Sequence, residues 1–523
     1  MKRDFDLVII GGGATGCGIA LEASLRGLRT LIVEKNDFSE GTSSRSTKLV
    51  HGGVRYLEGA VKKLDIAQYN LVKEGLKERY RLLKNASHLA HSITLVTPLY
   101  KWYEIPYMYA GLVLYDLISG KRRLGKSQIV SKKEIMKIFP SVKKKNLKGG
   151  VRYYDGSFND SRMTIALLQS AKENGCDIRN YTEVVDFIYE EENLHGVKLF
   201  NKLDNSYSKV SSDYIINATG PFGDKIRKLD DKNCSNILKV SSGIHIVIDK
   251  KFLPNNEGIM IPKTEDGRVL FMLPYLGKCL VGTTDENSEI QDRPSVKEND
   301  INYLLRHIDK YFDVKVERSD ILSSWSGLRP LVVNEDIENT KELVREHYIT
   351  SSNSGLVSIV GGKWTTYRKM GEEVLDLLFQ KKKNLHTCQT KNYKLVGSRE
   401  NIGEVKEKLD KFNFDKDLSD HLLACYGDCA LEVCKYIEKF GNIKINKNYP
   451  FLKAEVLYCI DNEFSLKPLD FLIRRMGLGF VDIRAAKESI RIVISIFKEK
   501  FGWSQEEESL YYNEAESILC SGL

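Results

Sequence analysis

Three glycines near the start of the chain, Gly11, Gly13 and Gly16, stand at G-x-G-x-x-G spacing. Bare backbone at those places lets the chain turn tightly, lets a pyrophosphate come close and lets a helix pack hard on a strand. A helix opening at Ala14 and Thr15 aims free N–H groups and the positive end of its dipole at that anion. Glu34, eighteen residues past Gly16 and followed by Lys35, can accept hydrogen bonds from an adenosine ribose. The chemistry is dinucleotide binding. The spacing alone does not separate FAD from NAD.

Three further stretches carry groups suited to the same ligand. The segment GTSSRSTKLVHGGVRYLE, residues 41–58, is dense in hydroxyls, glycine and base. Its plain reading is a polar surface loop. Placed just beyond Glu34, however, Thr42, Ser43 and Ser44 can reach phosphates and a ribityl chain, and His51, Gly52 and Gly53 let backbone approach a flat ring. Lys48 and Leu49 belong to the same candidate set. Ala218, Thr219 and Gly220 close a second buried strand and can touch the same dinucleotide. Gly361 and Gly362 lead to Lys363, with Thr365 and Thr366 placed to cap the next helix, where N–H groups can receive a flavin carbonyl or a phosphate.

The elements that must position these groups follow from patterning. Leu7–Ile10 is an unbroken apolar run, the mark of a parallel strand buried on both faces. A helix over 14–26 stops at Gly27, and a second buried strand spans 30–33. Residues 61–90 have helical periodicity and predict one long amphipathic helix. Tyr100–Gly120 is followed by Lys121-Arg122-Arg123, and its apolar, tyrosine-rich run from Ile105 to Leu114 is too short to span a bilayer. It reads either as a membrane-interface segment or as a buried helical hairpin. A helix over 161–174, strands over 178–185, 194–200 and 214–218, and period-2 alternation across 239–290 follow. From about Cys388 to the end, Lys, Glu, Leu and Ile recur at helical spacing, which predicts a helical appendage with no obvious site of its own.

Composition sets bounds. At 523 residues two or three domains are expected, and 42 % apolar with 29 % charged residues is that of a globular protein. The formal charge of +8 mildly favours an anionic substrate or membrane surface. The ten cysteines are scattered without a C-x-x-C pair, which predicts a reduced intracellular setting. Cys425, Cys429 and Cys434 read as core thiols, and no metal site is expected. The first strand begins within a few residues of Met1, so a bacterial-type cytoplasmic start is expected, with a mitochondrion-type organelle as the alternative. No apolar run reaches 18 residues, so no transmembrane helix is expected.

With these residues in order the chain resembles the FAD-dependent glycerol-3-phosphate dehydrogenase family of the glycine-oxidase and D-amino-acid-oxidase superfamily. The resemblance covers nearly the whole chain and rests on GGGATGCGIALEASLRGL, TSSRSTKLVHGGVRYLE, NATGP, GIHIV, VGTTDE, SGLRPL and GGKWTTYRK, and on a tail containing LDFLIRRMGLGFVD. These 523 residues show neither an EF-hand segment like that of the animal mitochondrial form nor a cysteine-rich tail like that of the anaerobic bacterial form, so a single-chain, aerobic-type enzyme is expected. The resemblance implies an α/β fold with a helical addition: a Rossmann-like FAD-binding domain, an antiparallel-sheet substrate domain and a helical C-terminal domain. It divides the chain into an oxidoreductase region, 1–387, and a helical domain, 388–523. Within the first, FAD-binding segments (about 1–90, 150–235 and 340–387) interleave with substrate- or membrane-facing ones (about 91–149 and 236–339).

The family implies FAD-dependent oxidation of sn-glycerol 3-phosphate to dihydroxyacetone phosphate, hydride passing from C2 to flavin N5 and electrons going on to a membrane quinone, with peripheral membrane association and a possible homodimer. Such a reaction needs a phosphate clamp, for which Arg55, Arg329, Arg345 and Lys363 are candidates, Arg329 and Arg345 first. It also needs a group to take the C2 hydroxyl proton, for which His51 comes first and His245 second. A soluble oxidase passing electrons to O2, a non-catalytic flavin-binding subunit and an amine oxidase are the rival readings. The last sits poorly with four cationic candidates.

Overall fold

The computed structural model describes residues 3–54, 57, 59, 65–265, 267–333, 347–380 and 386–523. Two sheets organise the described residues. The first has eight strands, with a parallel centre in the order 357–361, 206–217, 5–10, 30–33, 177–179. Leu7, Val8 and Ile9 at its middle are fully buried, as expected of a strand covered on both faces. The helix Ala14–Leu25 lies on this sheet with Cys17, Ile19, Ala20 and Ala23 packed inward, and Gly27 follows it at φ +83°.

The second sheet has ten strands. Its pairings are antiparallel except where Gly258–Ile261 runs parallel to Ala90–Leu99. Its core pair is Leu238–Ile248 against Ile321–Val332, in register His245 opposite Trp325 and Ser241 opposite Arg329. Leu49–Val50 and Gly149–Phe158 also belong to this sheet, so the hydroxyl-rich loop crosses from one sheet to the other.

The long helix expected over 61–90 is shorter than its periodicity suggests. Helix spans Ile66–Asn85, capped by the Asp65 carboxylate on the Gln68 N–H, and Ala90 already starts a strand ten residues long. Pairing with Gly149–Phe158 overrides the local helical pattern there. The stretch 178–185 divides into two short strands, Asp177–Arg179 and Thr182–Glu190. Tyr100–Gly120 forms one helix, Glu104–Ser119, with only Leu112, Tyr115 and Ser119 fully buried, so the buried hairpin is not what forms. No helix among the described residues is long and apolar enough to cross a membrane.

Beyond residue 388 the chain is helical as expected, but it is not an appendage. A π-helical turn, Asp470–Arg475, sends two buried arginines into the flavin-side unit. Both Arg474 and Arg475 pair with Asp37, four residues after the second strand, and Arg162 pairs with Glu463 across the same boundary. Cys425 and Cys434 are buried in this unit's core and Cys429 is half-buried there.

Candidate active site

The glycine turn is built for close approach. Gly11 has φ +110°, and a Cβ there would stand 2.7 Å from the Ala218 carbonyl oxygen. A Cβ on Gly16 would stand 1.9 Å from the Gly11 carbonyl oxygen, so neither position admits a side chain. The strand ending at Asn217 is in parallel register with Ile10, which brings Ala218, Thr219 and Gly220 beside the turn. The Thr219 hydroxyl donates to Asn217 at 2.7 Å and Gly220 has φ +57°.

Glu34 is partly buried and faces the turn. Its carboxylate accepts from the Gly12 N–H at 2.8 Å and from the Asn36 N–H at 3.1 Å. Burial raises its pKa while those two donors oppose the rise. Lys35 turns away, over the Phe222 ring and onto Asp292.

Most of the hydroxyl loop is tied, while the Ser44 hydroxyl is buried without a hydrogen-bond partner among the described residues. The Ser43 hydroxyl accepts the Ala14 N–H at 2.9 Å, at the helix start, and the Ser43 carbonyl accepts the Trp364 indole N–H at 2.8 Å. The Thr42 hydroxyl donates to the Leu328 carbonyl at 2.5 Å. Lys48 does not point its ammonium at the turn. It is buried, paired with Asp160 at 2.6 Å and bonded to the Ser44 carbonyl at 2.6 Å. Burial lowers its pKa and Asp160 holds it up. Leu49 pairs with Ser157 in the second sheet. The His51 carbonyl accepts the Thr365 hydroxyl at 3.3 Å, and Gly53 has φ +86°. Gly362, at φ +78°, packs so closely on Met370 that a Cβ would lie 2.5 Å from its sulfur, and Lys363 follows directly. Thr366 precedes the Tyr367–Phe379 helix but does not cap it; its hydroxyl donates to the Lys363 carbonyl at 3.2 Å instead.

On the second sheet the Arg329 side chain lies across Gly243, where a Cβ would meet the guanidinium at 2.1 Å. It donates to Asp285 at 3.0 Å, to the Thr283 hydroxyl at 2.8 Å and to the Thr284 carbonyl at 2.9 Å. His245, two residues further along the same face, stacks on Trp325 at 5.5 Å between centroids. One ring nitrogen, Nε2, meets the Thr47 hydroxyl at 3.0 Å. The other, Nδ1, is buried without a hydrogen-bond partner among the described residues. Burial, then the charges of Arg329 and Lys48, hold the imidazole pKa well below its usual value, so the ring is neutral near pH 7.

The structure therefore gathers His51, Lys363 and Thr365 at one edge of the loop, and His245, Arg329 and Lys48 on the second sheet. Arg55 and Arg345 lie outside the described residues. Sequence reasoning missed Thr47, Asp160 and Asp285 as partners. Asp285, inside VGTTDE, and Thr47, inside TSSRSTKLVHGGVRYLE, carried a signal, but the spacing does not say which group either one meets.

A parallel sheet with a bare glycine turn, a helix start and a partly buried acid, joined through the hydroxyl loop to a second sheet that carries His245 and Arg329, fits the ADP half of a dinucleotide and is the build of a dinucleotide-dependent oxidoreductase. The model of the FAD dependent oxidoreductase family matches residues 6–368, and that of the C-terminal domain of alpha-glycerophosphate oxidase matches 388–508. The chain is 40 % identical to a mitochondrial glycerol-3-phosphate dehydrogenase of Arabidopsis thaliana, over 98 % of this chain and 86 % of that one. It is 39 % identical to that of Mus musculus, over 96 % and 71 %. A solved glycerol-3-phosphate dehydrogenase of Bacillus halodurans, complexed with FAD, superposes with TM-score 0.81 at 31 % identity, covering 100 % of this chain and 95 % of that one. Glycine oxidase of Bacillus cereus, at 18 % identity and TM-score 0.51 over 73 % of this chain and 96 % of that one, shares the fold alone. The chain belongs to the FAD-dependent glycerol-3-phosphate dehydrogenase family, and its cofactor is FAD.

Proposed function

We propose that the protein oxidises sn-glycerol 3-phosphate to dihydroxyacetone phosphate and passes the electrons to a membrane quinone. The observation that carries this reading is a neutral, buried His245 beside Arg329 on the second sheet, met at Nε2 by Thr47 of the hydroxyl loop, in a chain of this family. The glycine turn, Glu34 and Ser43 hold the ADP half of FAD, and the His51–Gly53 backbone with Gly362–Thr365 borders its ring. FAD, when bound, supplies the acceptor for the substrate's C2 hydride at its N5.

The chain supplies the rest. Arg329, fixed by Asp285 and Thr283, presents a preset cation to the substrate phosphate, with Arg55, Arg345 and Lys363 completing the clamp. His245 takes the C2 hydroxyl proton. It is preferred over His51 because its Nδ1 has no hydrogen-bond partner among the described residues and can receive that proton. Thr47 fixes the imidazole through Nε2.

The Glu104–Ser119 helix supports a membrane-bound acceptor. Trp102, Tyr103, Tyr107 and Leu117 are exposed there, and Lys101, Lys121, Arg122 and Arg123 flank them. Aromatics beside bases suit a helix lying in the headgroup layer. The proposed location is the surface of a respiratory membrane, either the cytoplasmic membrane or that of a mitochondrion-type organelle, since the curated relatives are mitochondrial. Anaerobic mixing of holoenzyme with glycerol 3-phosphate tests the reaction, and bleaching of the flavin spectrum is expected. An unchanged spectrum overturns it. Hydrogen peroxide formed in step with substrate, with added quinone left unreduced, overturns the quinone assignment.

A further inference from the structure

A cleft of about 760 Å3, its open mouth included, separates the 36–45 segment from the C-terminal helices. None of Gly11, Gly13, Gly16, Glu34, Ala218 or Thr219 lines it, and of the candidate cofactor residues only Ser44 does. Its side-chain charges are five cations, Arg45, Lys202, Arg293, Lys467 and Arg474, against two carboxylates, Glu40 and Glu514. Four of the cations are paired. Arg474 meets Asp37 and Asp470, Arg293 meets Glu40 at 3.3 Å, Lys467 meets Glu514 at 3.1 Å and Lys202 meets Glu183 at 3.2 Å.

Arg45 is the exception. Its side chain is buried, with 8 % of the residue exposed, and it donates only to backbone carbonyls, those of Ser326 at 2.9 Å and Glu40 at 3.3 Å. Among the described residues it forms no ion pair. Burial, and the like charges of Arg474 and Arg293, bring its pKa down to about 10, with Glu40 acting against them. A buried guanidinium that donates only to carbonyls, at the wall of a cleft whose other four cations are each paired, lacks the side-chain carboxylate that normally accompanies a buried cation. The rest of the wall is partly apolar: Leu469, Ile473 and Phe480 line it, while Lys467 lies over the rings of Tyr181 and Tyr511 and the Leu523 main-chain oxygen accepts the Ser326 N–H at 3.1 Å.

We infer that this cleft binds a small organic phosphate, its phosphate on Arg45 and the rim lysines Lys202 and Lys467, its apolar or aromatic body against the C-terminal helices. Such a ligand bridges the C-terminal unit and the segment that leads into Ser43, whose hydroxyl holds the Ala14 N–H of the glycine turn. The site does not depend on the identity of the oxidised substrate.

The test is titration calorimetry of phenyl phosphate, which has no alcohol to oxidise, into FAD-loaded enzyme. Binding of one molecule per chain is expected, and it persists when glycerol 3-phosphate is present anaerobically at saturation. It weakens about tenfold or more in Arg45→Met and in the double variant Lys202→Ala/Lys467→Ala. The double variant keeps the flavin spectrum and the KM for glycerol 3-phosphate, and it decides the question if Arg45→Met melts early. Inorganic phosphate binds about tenfold more weakly, having no body to bury. Absence of binding, equal affinity in the double variant, or displacement by glycerol 3-phosphate overturns the site. Equal affinity for inorganic phosphate overturns the organic body.

Discussion

The Tyr115 hydroxyl accepts a hydrogen bond from the Gly52 N–H at 2.8 Å. It donates its own hydrogen bond to the Asp155 carboxylate at 3.2 Å, and Asp155 is held by Arg79 at 2.8 Å. A residue on the aromatic helix Glu104–Ser119 thus fixes the backbone next to His51. Tyr115→Phe leaves a buried N–H without its partner, at a cost of about 1–3 kcal/mol. A lower melting temperature and faster FAD loss in gel filtration are expected, and an unchanged melt with full FAD retention counts against the clamp.

Gly16→Ala places a methyl group 1.9 Å from the Gly11 carbonyl oxygen as the backbone stands. The turn and the helix must separate, which opens the phosphate cradle. The variant is expected to purify without visible flavin absorbance. A yellow protein with normal FAD content would show that the turn is not the cradle.

His245→Asn removes the proposed proton acceptor and is expected to lower kcat by about 10²–10⁴. Because burial holds the His245 pKa well below its usual value, the imidazole stays neutral as pH falls, and the acid limb of kcat/KM lies below about pH 6.5. A limb at the ordinary histidine value that vanishes in His51→Asn returns the role to His51.

His421 is buried against Glu455 at 2.6 Å. Burial pulls its pKa down, but the Glu455 charge outweighs this and raises it from 6.5 to about 10. The folded form therefore holds the proton more tightly than the unfolded chain. The pair's contribution is complete below about pH 6.5 and is lost as pH rises toward 10. His421→Gln is expected to flatten the fall in melting temperature between those values, and an unaltered slope contradicts the pairing.

Arg475 is fully buried and meets Asp37 at 2.5 and 2.8 Å. Arg475→Met leaves Asp37 with Arg474 alone in the interior, and a loss of about 3–5 kcal/mol is expected. FAD retention should fall with it, since Asp37 starts the segment that carries Ser43. Urea denaturation followed by flavin fluorescence reads both effects, and a variant with native midpoint and native flavin release makes the C-terminal unit a passenger.

Local signals were legible where one segment alone decides its state. The apolar run Leu7–Ile10, the glycine spacing and the helix stop at Gly27 each act over a few residues, and all appear in the fold. The helix expected over 61–90 ended early because residues 90–99 find a strand partner at 149–158, a contact that periodicity does not contain. Lys48 entered the candidate set through its place in a hydroxyl-rich loop, yet Asp160, more than a hundred positions away, takes its ammonium.

The order of residues by itself determined that this protein carries a dinucleotide turn, a second glycine-rich strand end and a helical tail, because hydrophobic period, glycine placement and capping are properties of neighbours in the chain. Only the tertiary structure decided which charges meet. Arg329 found Asp285, Lys48 found Asp160, Asp37 found Arg475 across 438 positions, and Arg45 found only carbonyls. Electrostatic partnership depends on distance in space and on the removal of water, and neither quantity is written in sequence separation.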